Sequence, residues 1–103
     1  MIARVWRGST SLDNAPGYEE HLESTTLPAL RELEGHCGAY VLRRDGSQEA
    51  DFVVLTFWSS TGAVRAFAGD DVERAVIPDE ARRLLLRWEE KASHFEVRHA
   101  DGA

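Results

Sequence analysis

Large apolar residues occupy consecutive positions in the stretch "DFVVLTFWSS", from Asp51 to Ser60. Successive side chains of a strand point to opposite faces, so a strand here would be apolar on both faces. The two faces would consist of Val53, Leu55 and Phe57, and of Phe52, Val54 and Trp58. Antiparallel strands with one face exposed to solvent normally alternate apolar with polar residues. The pattern therefore predicts a strand that is covered on both faces, in a chain of only 103 residues.

The first half of the chain predicts a strand, a helix and a hairpin. "IARVWRG" is rich in large and β-branched side chains and ends in glycine, which is typical of a strand. Between residues 9 and 35, apolar residues recur at roughly helical spacing, with Asp13 or Asn14 as a cap and an interruption expected at Pro28. "HCGAYVLRRDGSQEADFVVLTFW" predicts two strands, because Asp-Gly between apolar runs favours a tight turn.

The second half predicts another helix and a last strand. Ser59 or Ser60 can cap the helix, and Gly69 can end it. Short helical turns are expected in "DDVERAV" and "PDEARRLLL", followed by a strand in "RWEEKASHFEV". The order β-α-β-β-α-β is that of an α+β, ferredoxin-like domain, with two helices on one face of a four-stranded antiparallel sheet. We expect this single domain to span residues 1–98, with a short tail over 99–103.

Such a sheet leaves one face bare, and that face would carry a contiguous apolar patch. We expect a second copy of the chain to cover it, so that two sheets pack face to face in a homodimer. The alternative is a monomer in which polar neighbours break up the patch.

Composition narrows the classes of partner. A net charge of -6 argues against binding nucleic acid, because no cluster of basic residues offers to neutralise phosphates. The single cysteine, Cys37, allows no internal disulfide, and we expect it to be a buried, inert thiol. Metal-ligand spacings are missing, so we predict no metal, and Asp70 with Asp71 is better explained by helix capping. Without a signal-like or membrane-spanning apolar run, we expect a cytoplasmic protein with no membrane contact.

Five short stretches, taken in order and spacing, resemble the antibiotic biosynthesis monooxygenase superfamily of small dimeric α+β barrel proteins. They are "ARVWRG", "LEGHCG", "VVLTFWSS", "FAGDD" and "HFEV". The resemblance covers nearly the whole chain and implies a homodimeric α+β barrel. In that family some members oxidise aromatic polyketide intermediates with dioxygen and without metal or flavin, some degrade haem, and many have no assigned activity.

The resemblance implies a monooxygenase-like protein that acts on a small aromatic or quinone-type substrate and needs no cofactor. The competing interpretation is a non-catalytic dimeric module that binds a small apolar molecule or serves as an accessory protein. The haem-degrading branch uses an asparagine in the first strand and a tryptophan and an iron-ligating histidine around the second helix. Trp6, Phe67 and Ile77 stand at those places here, so haem degradation is not expected.

Cofactor-free oxygenation needs a dry pocket, a proton acceptor and a donor or cation for an oxyanion, and the fold has room for them between sheet and helices. His94 is the first candidate base, although it could be a structural histidine bonded to Glu96. Arg4 could hold an oxyanion, or it could pair with a glutamate across the dimer interface.

Aromatic and hydrogen-bonding side chains complete the predicted site. Tyr40 and His36 are predicted to share a face of the second strand and to donate to a substrate oxygen, unless the tyrosine is a core or interface residue. Trp6, Trp58 and Phe67 are predicted to form an aromatic wall for a planar ligand, with plain core packing as the alternative for each of them.

Overall fold

The computed structural model describes residues 1–102 as a sheet with helices on one of its faces. The strands are β1 (Ile2–Ser11), β2 (His36–Asp45), β3 (Glu49–Trp58), β4 (Leu85–Trp88) and β5 (Ser93–Glu96). The helices are α1 (Ala15–His21), α2 (Leu27–Arg31), α3 (Thr61–Ala68) and α4 (Asp79–Leu84), with a π-helical turn (Leu22–Thr26) between α1 and α2.

All strand pairs are antiparallel, and the strand order begins β2-β3-β1. Both β4 and β5 pair with the other edge of β1, β4 with its C-terminal part and β5 with its N-terminal part. This order confirms the predicted α+β, ferredoxin-like fold. Within one chain the sheet is open and does not close into a barrel. The prediction of four strands is corrected to five, because residues 90–92 leave the sheet. Their backbone bonds the segment before α4 instead, through the pairs Ala75 to Glu90 and Ala92 to Glu73.

The two faces of β3 divide as the alternation predicts. Phe52 and Trp58 are fully buried under the helices. In one apolar cluster the rings of Phe52 and Tyr18 meet edge-on, with 4.9 Å between their centroids. In a second cluster Trp58 packs with Leu30 and Val64. The core therefore lies on one side of the sheet. We call the other side, which carries Val53, Leu55 and Phe57 of β3, the open face.

The first helical region is interrupted where Pro28 was expected to interrupt it. Pro28 has no backbone N–H to donate within the helix. The chain passes through the π-helical turn just before it, and the N–H of Leu27 donates to the carbonyl of Leu22. Both α1 and α2 contribute to the core, through Tyr18 and Leu30.

The boundaries of α3 match the sequence signals. The Ser60 hydroxyl accepts a hydrogen bond from the N–H of Ala63 at 3.1 Å, and Gly69 ends the helix at a φ of 91°, which favours glycine. Across residues 1–102, no helix is both long and apolar enough to cross a membrane.

Candidate active site

A cavity of about 80 Å³ lies between the sheet and the helices. Its floor is formed by Arg4 and Trp6 of β1, which pair with Thr56 and Val54 of β3. Its other walls come from α1, the π-helical turn, Phe67 of α3 and residues 76–78. We call it the Arg4 cavity. The sequence predicted room for a pocket at this place in the fold.

Arg4 is a buried cation at the wall of this cavity, with 5% of its surface exposed. Its guanidinium donates to the backbone carbonyls of Val72 and, at 2.7 Å, Arg74. It also lies over the Phe67 ring, 5.5 Å from the centroid. Within residues 1–102 no ion pair joins it to an aspartate or glutamate. Burial lowers the pKa of Arg4, which reflects a charge held away from water.

The direction of Arg4 bears on its alternative role. Its pairing with Thr56 places it on the helix-covered face, and its neighbours on β1 that reach the open face are Ala3 and Val5. A glutamate of a second sheet packed on the open face would therefore not reach Arg4. The inward direction of Arg4 on β1 thus favours the oxyanion role over the alternative of a pairing across a dimer interface.

His94 contacts the guanidinium of Arg4 and does not line the Arg4 cavity. Its Nε2 lies 2.9 Å from NH1 of Arg4. A guanidinium only donates, so Nε2 must accept, and the imidazole is neutral with its proton on Nδ1. Desolvation and then the Arg4 charge lower the pKa of His94, against a weaker opposing effect of Glu73. The structure thus gives His94 a bond to Arg4, and its role as a base stays a prediction.

Two of the three aromatic residues of the predicted wall line the cavity. Trp6 does so while its indole N–H donates to the carbonyl of Glu89 at 2.7 Å. Phe67 does so with its other side stacked on Trp58, at 5.2 Å between ring centroids. Trp58 itself is fully buried behind Phe67, and its N–H donates to the Thr56 hydroxyl. Trp58 therefore supports the wall and does not contact the cavity.

Tyr40 and His36 do not share a face, contrary to the prediction. A bulge between His36 and Gly38 shifts the register against β3. His36 consequently pairs with Trp58 under the helices, whereas Tyr40 pairs with Leu55 on the open face. Neither residue lines the Arg4 cavity.

The surroundings of these side chains follow from the bulge. Tyr40 is 50% exposed, with its ring edge-on to Phe57. His36 meets Trp58 edge-on at 5.1 Å, and desolvation and then the charge of Arg31 lower its pKa. Cys37, predicted to be buried, is exposed at the bulge.

Two polar residues of α1 that the sequence did not predict as site residues also line the cavity, Tyr18 and His21. Desolvation raises the pKa of Tyr18. Its hydroxyl therefore stays protonated, so it can donate or accept a hydrogen bond but does not ionise. The Nε2 atom of His21 is buried and has no hydrogen-bond partner in the described part of the chain. A separation of three residues places these side chains on one helix face, a signal that could have connected them.

Acidic residues and histidines do not gather around a common point in the described residues. No group of three or more His, Cys, Asp or Glu side chains with metal-binding proximity occurs in residues 1–102.

Solved structures with a similar fold match this chain along its whole length. A proposed antibiotic biosynthesis monooxygenase from Deinococcus radiodurans is 19% identical, with a TM-score of 0.70 over 100% of this chain and 98% of that one. A proposed antibiotic biosynthesis monooxygenase from Bacillus cereus is 13% identical, with a TM-score of 0.67 over 99% and 97%. MhuD from Mycobacterium tuberculosis, a haem degrader solved with two haems in its active site, is 20% identical, with a TM-score of 0.63 over 99% and 100%.

These likenesses confirm the resemblance at the level of the fold. No protein-family profile matches the sequence, and no curated protein does. Identities of this size establish the fold alone, so activity has to be argued from the cavity.

Proposed function

We propose that the protein binds a single-ring phenol in the Arg4 cavity and oxidises it with dioxygen. It would thus be a monooxygenase for a small aromatic or quinone-type substrate. The observation that carries the proposal is Arg4, a buried cation that lies at the wall of an apolar cavity and has no carboxylate partner within residues 1–102. A phenolate oxygen would supply the missing negative charge while its ring packs on Trp6 and Phe67.

The size of the cavity supports a small ligand. Pockets for drug-sized molecules usually measure about 300–1,000 Å³, whereas this one measures about 80 Å³. A single aromatic ring suits that space better than a macrocycle such as haem. Haem degradation is therefore not part of the proposal.

The proposed reaction draws its electrons from the substrate and requires no resident metal or flavin. A phenol with a free para position and dioxygen give a para-quinone and water. One oxygen atom becomes the second quinone oxygen, the other leaves as water, and the ring loses its phenolic and para hydrogens. Arg4 would stabilise the phenolate, which is the form that passes electrons to dioxygen most readily.

The test is dioxygen uptake by the purified protein with a panel of electron-rich phenols, followed by mass spectrometry of the quinone formed from isotopically labelled dioxygen. We expect one labelled oxygen per quinone. Arg4→Met should lower kcat/KM on the order of 100-fold. The matched control is Arg7→Met on the open face of the same strand, which should react like the wild type. Quinone without label, or equal rates for both variants, would contradict the proposal.

The competing function is a non-catalytic module of the same fold. It would bind the same ligands in the Arg4 cavity and raise the melting temperature without consuming dioxygen. A rise in melting temperature that depends on Arg4, together with no oxygen uptake across the panel, would establish the module and remove the oxygenase.

We further propose that two copies associate through the open face. Large apolar side chains remain uncovered there: Tyr40 is 50% exposed, Leu42 46% and Phe95 60%. Tyr40 and Leu42 pair with Leu55 and Val53 of β3, so the patch is continuous across neighbouring strands. Burying this patch against its own copy would cover the second apolar face of β3.

Native mass spectrometry tests the association directly. The wild type should be a dimer, and Leu42→Lys should be a monomer, because two lysines would face each other across the covered patch. The exposed Leu33, which lies outside the sheet, provides the control Leu33→Lys. A monomeric wild type would contradict the proposal.

A further inference from the structure

His21 is the titratable side chain of the cavity whose chemistry the fold leaves unused. It stands at the last position of α1, where the π-helical turn begins, and it lines the Arg4 cavity. Its Nε2 is buried and forms no hydrogen bond within residues 1–102. A buried polar atom without a partner is rare in native structures and often belongs to a functional site.

The other candidate proton acceptors are less suited to this cavity. The Nε2 of His94 already accepts a hydrogen bond from Arg4, and the residue lies outside the lining. Tyr40 is on the opposite side of the sheet. Tyr18 lines the cavity, but its raised pKa keeps the hydroxyl protonated. His21 is thus the lining residue with a ring nitrogen that has no hydrogen-bond partner within residues 1–102 and that can accept a proton in the neutral tautomer with its hydrogen on Nδ1.

We infer that His21 accepts the proton of the phenolic hydroxyl when the ligand binds, so that the ligand is held as a phenolate against Arg4. The inference rests on the proposed function and names the group that ionises its substrate. The O–H bond breaks, its electron pair stays on the oxygen, and the proton forms a new N–H bond at Nε2 of His21. The positive charge created on the imidazole stays in the cavity with the phenolate and Arg4. No oxidant takes part in this step.

Internal proton transfer makes a prediction that is independent of turnover. A suitable probe is 3-nitrophenol, which is mostly protonated in neutral water, becomes yellow when ionised, and is too electron-poor to be oxidised readily. Bound to the wild type at neutral pH it should show the phenolate absorption band. Calorimetry should give the same binding enthalpy in phosphate and in Tris, because the proton goes to His21 and not to the buffer.

His21→Gln separates proton transfer from structure, because glutamine fills a similar space and forms hydrogen bonds but does not titrate. In this variant 3-nitrophenol should bind on the order of tenfold more weakly, and any phenolate that forms should release its proton to the buffer. The methyl ether 3-nitroanisole carries no such proton, so the substitution should change its affinity by less than about twofold. His99→Gln, the same change at an exposed position, should behave like the wild type.

The outcomes distinguish this inference from the proposed function. Binding of 3-nitrophenol as a neutral phenol, or as a phenolate whose proton the wild type releases to the buffer, would overturn the inference and leave ligand binding intact. An unchanged His21→Gln would overturn it as well. Absence of binding by both probes would contradict the proposed function itself, and the inference with it.

Discussion

The two faces of the sheet are built from alternate residues of the same strands and differ in what covers them. On β1, Arg4 and Trp6 point toward the helices, while Val5 and Arg7 point to the open face. The helix-covered face encloses a cation, aromatic rings and a cavity. The open face carries exposed apolar side chains such as Phe95.

The difference teaches that a residue's neighbours along the chain say little about its role here. Arg4 and Arg7 are three positions apart, but only Arg4 is buried, and only Arg7 forms an ion pair, at 3.7 Å with Glu89. A surface ion pair of that kind contributes little to stability. The buried arginine is a chemical feature of the cavity, whereas the open face is the surface proposed for association.

The largest expected effect is on stability. Its absence would contradict the difference between the two faces of the sheet. Phe52 is fully buried against Tyr18, and Phe95 is 60% exposed on the other face. Phe52→Ala should lower the free energy of unfolding by about 3–5 kcal/mol. Phe95→Ala should change it by no more than about 0.5 kcal/mol in protein dilute enough to be monomeric. Denaturant titration measures both, and similar losses would contradict the assignment of the faces.

Which residues share a face was largely predictable, because alternation in a strand is a local property. The sequence indicated the two sides of β3, and the structure agrees. The prediction failed at β2, where one extra residue at the bulge near Gly38 reverses the parity of Tyr40 relative to His36. A bulge depends on pairing with β3, so it is not visible in the alternation itself.

The polar wall contributed by α1 was harder to predict for a similar reason. The π-helical turn from Leu22 to Thr26 inserts an extra residue into the helical repeat, so spacing before it does not continue beyond it. His21 stands at that junction, at the last position of α1. Pro28 announced an interruption, but the sequence did not show which side chain would face the cavity.

The second prediction concerns how Arg4 is held. His94→Ala removes the acceptor that fixes NH1 of Arg4, so kcat/KM should fall about tenfold, less than for loss of Arg4 itself. His94→Gln retains a carbonyl that can accept the same hydrogen bond and should recover most of the rate. If His94 were instead the base, the glutamine variant would be as slow as the alanine variant. Steady-state kinetics on the three proteins decides between these roles.

The smallest expected effect is on the pH dependence of stability. The folded protein lowers the pKa of His94 and of His36 below the ordinary value, which is about 6.5 in an unfolded chain. As the pH falls below that value, the unfolded chain binds protons first, so the free energy of unfolding should decrease. The free energy of unfolding should be greatest at a pH above about 6.5. His94→Gln should make the decrease shallower, and a slope equal to that of the wild type would show that His94 does not contribute.

The central claim is that the Arg4 cavity is the ligand site. Its most direct test is a titration with 3-nitrophenol that is monitored through the nuclear magnetic resonance signals of the tryptophan indole and backbone amide groups. The account predicts that the indole N–H of Trp6 and amides around Arg4 and Phe67 shift together and saturate, while those of Leu42 and Phe95 on the open face stay in place. Shifts confined to the open face, or none at all, would contradict the claim that the Arg4 cavity is the ligand site.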